Sequence, residues 1–431
     1  MIRLALYFYV FLLPFAYLWE VMFGFMSQLK PYRLAGIVLI GLFSVAWAGG
    51  KMRVRLDRYD KTYLFFLGLS VVLALLWNLM EGANISGIPH MVIVFLSAVV
   101  PYLVIKNMGL SAVDAEKLLR VFVIGVCVSM VVALAAGTSM IDGRLVAFLD
   151  NPNRLAFALA VSLHTLIGQI IFGRRRARLS SYVFRGALVI GLAISLIFTG
   201  SRAAIVATVA SFVIYSIPLL HRRGSARASR FGRAAAFVPI MVIAGGILYS
   251  VYDTYQAHSA AIRRYEVGDS GYSGRLDIWR GAWAVSVDHY FIGVGTSQYR
   301  MYHRKYMAKL DKLYDSKVAD KDLVVHSDYF EMLTSAGALG LILFISMLVS
   351  IYRRLSRSAR SLERRESALP AIVLPLFVLV LTFGVFHTQV YDPQYFFLMA
   401  LVTLSARGFS RQSVPQRSTM GRLRQPLSAS T

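Results

Sequence analysis

Long apolar runs recur along the whole chain, and they restrict its fold more than any other feature. The chain has 431 residues, of which 57% are hydrophobic and only 16% are charged. A water-soluble globule of this size needs more polar surface than that. A helix of about 20 apolar residues, in contrast, crosses the roughly 30 Å hydrocarbon core of a bilayer.

Runs of suitable length lie near residues 4–26, 34–49, 62–80, 86–105, 118–136, 155–172, 183–199, 203–220, 235–252, 329–351, 369–387 and 393–406. They predict an all-α polytopic membrane protein with about twelve transmembrane helices. The first run is longer than the apolar region of a signal peptide and lacks a small-residue cleavage pattern after it. We therefore expect it to be an uncleaved span.

Basic residues are spread unevenly between the loops, and their distribution predicts the topology. The 46 Lys and Arg exceed the 22 Asp and Glu, for a net charge of +24. In a soluble chain this excess would suggest a nucleic-acid partner, but in membrane proteins Lys and Arg concentrate in cytoplasmic loops. With the N-terminus inside, 30 of the 46 fall in cytoplasmic segments and only 5 in the short opposite loops. Both termini are therefore expected in the cytoplasm, with no nucleic acid bound.

These spans divide the chain into four predicted parts. Residues 1–252 hold transmembrane helices 1 to 9, residues 253–327 form an extracytoplasmic loop domain, and residues 328–406 hold helices 10 to 12. Residues 407–431, rich in Ser, Arg, Gln and Pro, form a disordered cytoplasmic tail. The single cysteine, Cys127, excludes an intrachain disulfide.

The loop at 253–327 is expected to be ordered, because two stretches repeat apolar residues at helical spacing. The stretches are Leu276, Trp279, Trp283 and Val287, and Tyr299, Tyr302, Tyr306, Leu310 and Leu313. Aromatic and basic amphipathic helices of this kind suit a membrane interface. A purely structural cap over the bundle is the alternative.

Arg202 is a candidate binding residue, because the turn Thr199-Gly200-Ser201 before it joins two predicted spans with almost no loop. The seventh run, 183–199, covers only about 25 Å as a helix, so the turn is expected to lie below the membrane surface. A buried guanidinium costs about 3 kcal/mol on insertion scales and normally faces a cavity or an anionic partner. The alternative is an arginine that extends to the interface.

Three predicted spans begin at the same face as Arg202 with side chains that cap helix N-termini. The capping residues are Asn151 and Asn153, Ser201 and Ser327. Helix N-termini bind phosphate through free backbone N–H groups. Together with Arg202 and with Arg275 of the long loop, they predict an anion site that needs no metal.

His326 is a candidate general base, because it stands directly before Ser327 at the start of the tenth span. A histidine there can take a proton from a hydroxyl near neutral pH, although an interfacial histidine more often only hydrogen-bonds. His387 and Asp392, which flank the last turn, and Arg154, after an Asn-Pro-Asn turn, are weaker candidates.

Three stretches carry a family likeness through their order along the chain. They are Thr199-Gly200-Ser201-Arg202-Ala203, Gly274-Arg275-Leu276-Asp277-Ile278-Trp279 with Gly293-Val294-Gly295 downstream, and His326-Ser327-Asp328-Tyr329 running into Gly337 and Gly340. In this order they resemble the O-antigen ligase and polymerase superfamily of bacterial envelope enzymes. Many relatives have Asn where this chain has Ser327. Twelve spans with a large loop between the ninth and tenth fit the ligase branch best, with a GT-C-like fold.

The resemblance implies a lipopolysaccharide O-antigen ligase, a glycosyltransferase of the bacterial inner membrane whose active site faces the periplasm. The donor would be O-antigen polysaccharide on undecaprenyl diphosphate, and the acceptor a sugar of lipid A-core. By carry-over, Arg202 and Arg275 would hold the donor diphosphate and His326 would activate the acceptor hydroxyl. The supporting residues would be Ser201, Ser327, Asp392, Asn153 and Arg154.

A metal-independent transfer without a cofactor is expected, because the first extracytoplasmic loop, residues 27–32, contains no carboxylate to hold a metal ion. A single in-line displacement would invert the anomeric centre. An O-antigen polymerase and a protein O-oligosaccharyltransferase of the same superfamily remain alternatives. A lipid or sugar transporter is a further one. Transporters of this size usually have two similar halves, and this sequence has no such repeat.

Overall fold

The structure is a computed structural model that describes most of the predicted bundle. It describes residues 1–23, 30–81, 87–141, 144–149, 151–172, 179–221, 275–296, 298–309, 324–360 and 369–407. The predicted ninth span, 235–252, parts of the long loop, including Leu310 and Leu313, and nearly all of the predicted tail lie outside these residues.

Fifteen helices and one small hairpin make up the described residues. The elements are α1 Ile2–Leu12, continued by a 3₁₀ turn Leu13–Phe15, α2 Leu18–Phe23, α3 Pro31–Ala48, α4 Arg58–Glu81, α5 Gly87–Val94, joined by a π-helical turn Phe95–Val99 to α6 Val100–Asn107, α7 Ala112–Ala135, β1 Met140–Ile141, β2 Arg144–Leu145, α8 Pro152–Phe172, α9 Leu179–Phe198, α10 Arg202–His221, α11 Arg275–Asp288, α12 Tyr299–Lys309, α13 Asp328–Arg360, α14 Leu369–Phe386 and α15 Pro393–Arg407.

The polytopic helical membrane fold predicted from the apolar runs is confirmed. In the described residues, eight helices are long and apolar enough to cross a membrane, and two further apolar helices, Ile2–Phe15 and Arg202–Ile214, are shorter. Besides the helices, two two-residue strands, β1 and β2, pair antiparallel with Met140 opposite Leu145.

Helix α8 lies at the centre of the bundle. Of its apolar span, 83% is buried, against 22% for its neighbour α9. A helix that is apolar all round is stable when packed on every side, and the side chains of α8 are buried without interruption from Leu155 to Gln169. Helix α14 packs against α8, α10, α13 and α15. These contacts hold in place the helix ends on which the candidate site is built.

Helix α13 is broken at Gly337, whose φ of 70° and ψ of −167° lie outside the helical region. A break leaves nearby carbonyl groups without helical partners. The carbonyl oxygens of Thr334 and Ser335 instead accept hydrogen bonds from the N–H groups of Val294 and Gly295, at 2.7 and 3.0 Å. The segment after α11 is therefore inserted into the bundle and satisfies the backbone that the break exposes.

Glycine is required at the two sides of this insertion. A Cβ atom on Gly295 would clash with the backbone of Ala74 in α4, and one on Gly337 would clash with the carbonyl oxygen of Phe291. Both glycines also have positive φ angles, of 92° and 70°, which side chains with a Cβ rarely adopt. The glycines thus allow the loop domain to be anchored between α4 and α13.

Helices α11 and α12 pack on each other beside this insertion. The buried face of α11 consists of Ile278, Ala282 and Val285, whereas Leu276, Trp283 and Val287 are exposed. Of the stripe expected from the sequence, only Trp279 packs inside the protein, where it stacks on the Phe330 ring at 5.7 Å. In α12, the predicted stripe Tyr299, Tyr302 and Tyr306 is buried.

Candidate functional site

Helices α8, α10 and α13 begin at one end of the bundle, which we call the site end, and each begins with a capping side chain. The capping hydrogen bonds run from the N–H groups of Asn153, Ala204 and Phe330 to the side-chain oxygens of Asn151, Ser201 and Ser327, over 2.8, 3.4 and 3.5 Å. The positive ends of three helix dipoles therefore meet at the site end.

A side-chain hydrogen bond joins the starts of α8 and α10. The Ser201 hydroxyl donates to Asn153 Oδ1 at 2.7 Å. Ser201 is 1% exposed, so this bond is shielded from solvent, and a buried hydroxyl without a partner would be costly. The two predicted supporting residues thus fix the relative position of two helix N-termini.

The turn between α9 and α10 differs from the expectation in two respects. Helix α9 starts at Leu179 and has 20 residues, about 30 Å, so its length gives no reason to place the turn below the membrane surface. Thr199 and Ser201 are buried, at 0% and 1% exposure, but Arg202 is exposed. Since Ser201 caps the helix, Arg202 is its first residue and projects away from the buried turn. The guanidinium of Arg202 is therefore not buried within the protein, and its depth in the membrane stays a prediction.

The structure adds a second arginine, Arg144 of β2, to this turn. Its Nε donates to the carbonyl oxygen of Thr199 at 2.8 Å. The side chain lies against Gly200, because a Cβ atom there would be 3.2 Å from Arg144 Nε. Gly200 also has a φ of 60°, a conformation suited to glycine. The glycine therefore serves both the turn and the close approach of the guanidinium.

Arg144, Arg202 and Arg275 form what we call the arginine cluster. Burial, and then the charge of Arg202, lower the pKa of Arg144. Burial, and then the charges of Arg144 and Arg202, lower the pKa of Arg275, the first residue of α11. Like charges oppose each other's protonated forms in this way. The three guanidinium groups therefore lie within each other's electric field.

No arginine of the cluster forms an ion pair with any residue that the structure describes. Nearby Arg154 is different, because its Nη2 lies 3.1 Å from Asp392 Oδ1. Unneutralised guanidinium groups at helix N-termini favour an anion with several oxygen atoms, which planar N–H pairs bind in bidentate fashion. The arginine cluster therefore has the chemistry of a phosphate site.

His326 lies next to the arginine cluster, directly before α13. Its φ of 52° places it in the left-handed region, which is uncommon for a residue with a side chain and is found at functional sites. Burial, and then the charges of Arg275 and Arg300, lower its pKa to about 4. The imidazole is therefore neutral at pH 7 and can accept a proton.

His387 stands beside His326, with the two ring centroids 6.2 Å apart and the planes at 27°. Burial, and then the charges of His326, Arg154 and Arg275, lower the pKa of His387 to about 3. The sequence identified His387 only as a weaker candidate. The structure makes it the neighbour of His326.

Two hydrogen bonds to Asp328, which we call the Asp328 clamp, hold His326 and His387 beside each other. Asp328 Oδ1 accepts hydrogen bonds from the N–H groups of Gln389 and Val390, at 2.7 and 3.0 Å. The start of α13 is thereby tied to the turn between α14 and α15. Ser327 caps α13 through Phe330, and no hydrogen bond to the His326 ring is found within the described ranges.

A cavity of about 490 Å³ opens beside the two histidines. Its wall is formed by residues of the first helices, of α5, of α12 and of the α14–α15 turn. Among them are Tyr17, Lys30, Tyr32, Arg33, His90, Asn151, Arg154, Arg300, His326, His387, Thr388, Tyr391 and Asp392. Pockets of this size hold small ligands, and polar side chains on this wall suit a hydrophilic one.

The predicted site residues therefore divide into two adjoining groups. His326, Arg154 and Asp392 line the cavity, whereas Arg202 and Arg275 do not. The cavity wall thus contains the candidate base but neither of the two candidate phosphate-binding arginines. Arg275 connects the groups, because its charge acts on His326 and it lies within the field of Arg144 and Arg202.

Sequence reasoning missed Arg144 and Arg300 as members of the site. Arg144 was counted only among the few basic residues of the short extracytoplasmic loops, where its departure from the positive-inside rule was a usable signal. Arg300 belongs to the second loop helix, and its spacing from the other motifs gave no indication that it reaches His326.

In the part of the chain that the structure describes, no group of three or more His, Cys, Asp or Glu side chains is placed to hold a metal ion. Residues 27–29 of the first loop lie outside that part.

Comparison with known proteins identifies one family over part of the chain. Residues 186–345 match a family model described as O-antigen ligase. The matched segment contains Arg202, Arg275 and His326, while Arg144, His387 and most of the cavity wall lie outside it. No curated protein matches the chain. The resemblance to the O-antigen ligase superfamily that the sequence motifs indicate is thus supported over residues 186–345.

Proposed function

We propose that this protein is a lipopolysaccharide O-antigen ligase. It transfers polysaccharide from undecaprenyl diphosphate to a sugar of lipid A-core, in a metal-independent reaction that inverts the anomeric centre. The observation that carries this proposal is the arginine cluster, three guanidinium groups without a carboxylate partner in the described residues, placed beside a neutral histidine.

The arginine cluster suits the leaving group of this reaction. Undecaprenyl diphosphate departs as an anion, so its departure requires charge stabilisation rather than a proton. Arg202 and Arg275 bind the diphosphate oxygens, and Arg144, held by the Thr199 carbonyl oxygen at 2.8 Å, adds a third guanidinium. Preorganised donors of this kind stabilise developing negative charge without reorganisation.

His326 suits the acceptor side. The attacking sugar hydroxyl must lose its proton as the glycosidic bond forms, and a neutral imidazole accepts it. A pKa of about 4 makes His326 a weak base in the free protein. Because an anion beside Arg275 offsets the positive charge that depresses the pKa, donor binding strengthens the base. Activation of the acceptor is thereby linked to a loaded donor site.

The supporting residues orient these groups. The 2.7 Å Ser201–Asn153 bond sets the starts of α8 and α10, Ser327 caps α13, and the Arg154–Asp392 pair fixes the cavity wall. In the proposed topology the protein spans the bacterial inner membrane. Its site end faces the periplasm and is covered by the loop domain, and both termini lie on the cytoplasmic side.

A deletion strain tests the proposal against its closest alternatives. A ligase deletion keeps lipid A-core and loses the whole O-antigen ladder on a lipopolysaccharide gel. Loss of a polymerase leaves a band with a single repeat unit. Loss of a protein O-oligosaccharyltransferase leaves the ladder intact, and the glycosylated serine proteins disappear instead.

Complementation of the deletion strain locates the activity. The wild type should restore the ladder, and Arg275→Lys should not. Arg120→Lys is the matched control, because Arg120 is an exposed residue of α7 outside the arginine cluster. Purified wild-type protein in liposomes should then join lipid-linked polysaccharide to lipid A-core. Movement of the donor across the bilayer without transfer would support a transporter and reject the ligase.

A further inference from the structure

His387 and Thr388 carry buried polar atoms for which the described structure provides no partner. His387 is 6% exposed, and neither of its ring nitrogens forms a hydrogen bond, nor does Thr388 Oγ1. The side-chain oxygen Oε1 of Gln389 also has no partner, but the adjacent backbone N–H groups and the Tyr391 hydroxyl are paired. The N–H groups of Gln389 and Val390 donate to Asp328, and the Tyr391 hydroxyl donates to Glu331 at 2.8 Å.

Leaving such groups without partners costs stability. A buried polar atom without a hydrogen bond loses its hydration and gains nothing in return, so most proteins keep few of them. His387 packs against the Phe383 ring at 5.2 Å, a contact that requires an aromatic ring but no ring nitrogen. Packing therefore explains neither the imidazole nor the threonine hydroxyl.

Both residues belong to the wall of the 490 Å³ cavity that His326 also lines. A ligand in this cavity is therefore next to His387, Thr388 and the candidate base together. Arg202 and Arg275 are not on this wall. The unpartnered groups thus lie on the cavity side of His326, and the arginine cluster lies outside that wall.

The chemistry of the two groups selects a hydroxyl-rich ligand over a phosphate. A neutral imidazole presents one N–H donor and one bare nitrogen acceptor, and a threonine hydroxyl both donates and accepts. A phosphate oxygen only accepts hydrogen bonds, so it could not donate one to the unprotonated ring nitrogen of His387. Sugar hydroxyls donate and accept, and they match all three atoms. A pKa of about 3 for His387 keeps its imidazole in this neutral form.

We infer that His387 and Thr388 form the subsite that binds hydroxyl groups of the acceptor sugar and so places the attacking hydroxyl at His326. This inference rests on the proposed glycosyl transfer and adds the acceptor-binding residues to it. His387 is a binding residue here and takes no proton. The residues lie beyond the segment matched by the family model.

The test measures acceptor binding and stability in the same variants. His387→Phe and Thr388→Val remove the polar atoms; valine keeps the size of threonine, and phenylalanine keeps a flat ring that is somewhat larger than imidazole. Each should raise the acceptor KM about tenfold, the effect of one lost hydrogen bond. Donor affinity should stay unchanged, and the thermal midpoint should stay equal or rise. His387→Gln, which keeps a donor and an acceptor, should recover much of the acceptor affinity.

Thr208→Val is the matched control. Thr208 in α10 is also fully buried with an unpartnered hydroxyl, but it is not on the cavity wall. Thr208→Val should change the thermal midpoint by as much as Thr388→Val does, and it should leave the acceptor KM unchanged.

Two results separate the inference from the proposed function. An acceptor KM within twofold of wild type in both His387→Phe and Thr388→Val, in a protein that does transfer glycan, overturns the subsite alone. A fall in donor affinity or in the thermal midpoint that accompanies the KM rise shows a structural role and also overturns it. If the wild type transfers no glycan from a lipid-linked donor to lipid A-core, the proposed function and the subsite fail together.

Discussion

The two ends of the bundle differ in whether their basic side chains are paired with carboxylates. At the end opposite the site, Lys106 and Arg407 face Asp57 and Asp60, with Lys106 Nζ 3.1 Å from Asp57 and Arg407 Nη2 3.5 Å from Asp60. Lys106 also contacts Asp60, and Arg407 contacts Asp57. Two cations and two anions close this network. The arginine cluster at the site end has three cations and, within the described chain, no carboxylate.

Burial explains why both arrangements are tolerated. Lys106 is 4% exposed and Asp60 1%, so removing either partner would leave a buried charge alone. Arg202 is exposed and Arg144 and Arg275 are only half-buried, so water lowers the cost of their repulsion. A closed network holds helices together, whereas an open cluster keeps its charge available for a ligand. This difference predicts which substitutions affect folding and which affect transfer.

Removal of the base beside the open cluster should have the largest effect. His326→Ala and His326→Gln should each lower turnover by about 10² to 10⁴, the typical value of general-base assistance. Affinity for undecaprenyl diphosphate should be unchanged, because the arginine cluster is intact. Single-turnover rates and donor binding measured together check this. Near-normal turnover in His326→Gln, with folding unchanged, would leave His326 only a structural role.

Opening the closed network should instead damage stability. Lys106→Met leaves two carboxylates with one cation, and breaking a buried pair costs about 3 to 5 kcal/mol. The thermal midpoint in detergent should fall, while turnover of the folded fraction should stay within about twofold of wild type. Arg120→Met, which removes an exposed pair with Glu116 at 3.7 Å, should cost at most about 0.5 kcal/mol. Equal losses in the two variants would remove the contrast between the ends.

Changing the shape of a cation in the open cluster should damage transfer without damaging folding. Arg275→Lys and Arg202→Lys keep the charge but lose the planar fork that binds two phosphate oxygens. Losing one preorganised donor lowers turnover by about 10² to 10³. Rates measured with Arg120→Lys as the control check this. Full activity in both lysine variants would mean that charge alone binds the donor.

The sequence predicted the parts of this contrast that depend on order along the chain. The apolar runs gave the helices, and the motifs around Arg202, Arg275 and His326 identified residues that the structure brings near each other. Asn151, Ser201 and Ser327 cap helices as expected. Hydrophobic spacing and capping are local properties, and local properties can be read from one segment at a time.

Features that depend on contacts between distant segments were not predictable. The approach of Arg144 to Thr199 joins residues 55 positions apart, and the Asp328 clamp on Gln389 joins residues 61 apart. The sequence also placed the guanidinium of Arg202 in a buried turn, whereas the turn is buried and the side chain is exposed. Side-chain direction at a helix start depends on the tertiary neighbours, which spacing does not report.

The pH dependence of transfer tests whether the unneutralised charge of the arginine cluster controls the pKa of His326. The neutral imidazole is the active form, so activity is present above its pKa and is lost below it. In the free protein the pKa is about 4, and kcat/KM for the donor should fall only near that pH. Bound diphosphate neutralises the arginine charges, so kcat should fall at a pH about 1 to 3 units higher. Coincident profiles for kcat and kcat/KM would show that His326 does not sense the donor.

Chelation should have the smallest effect, because the open cluster itself supplies the positive charge that a metal ion would provide. Leaving-group stabilisation requires cationic or N–H donors near the diphosphate, and three arginines and three helix N-termini meet at the site end. Purified protein should therefore transfer glycan at an unchanged rate in excess EDTA. The matched measurement is Arg275→Lys with added magnesium. If a metal ion replaces the lost fork and restores turnover only in this variant, the arginine fork normally does the work of the metal. Wild-type activity that is lost in EDTA and restored by magnesium or manganese would mean that a bound metal ion completes the arginine cluster. The three arginines alone would then not be sufficient to stabilise the leaving diphosphate.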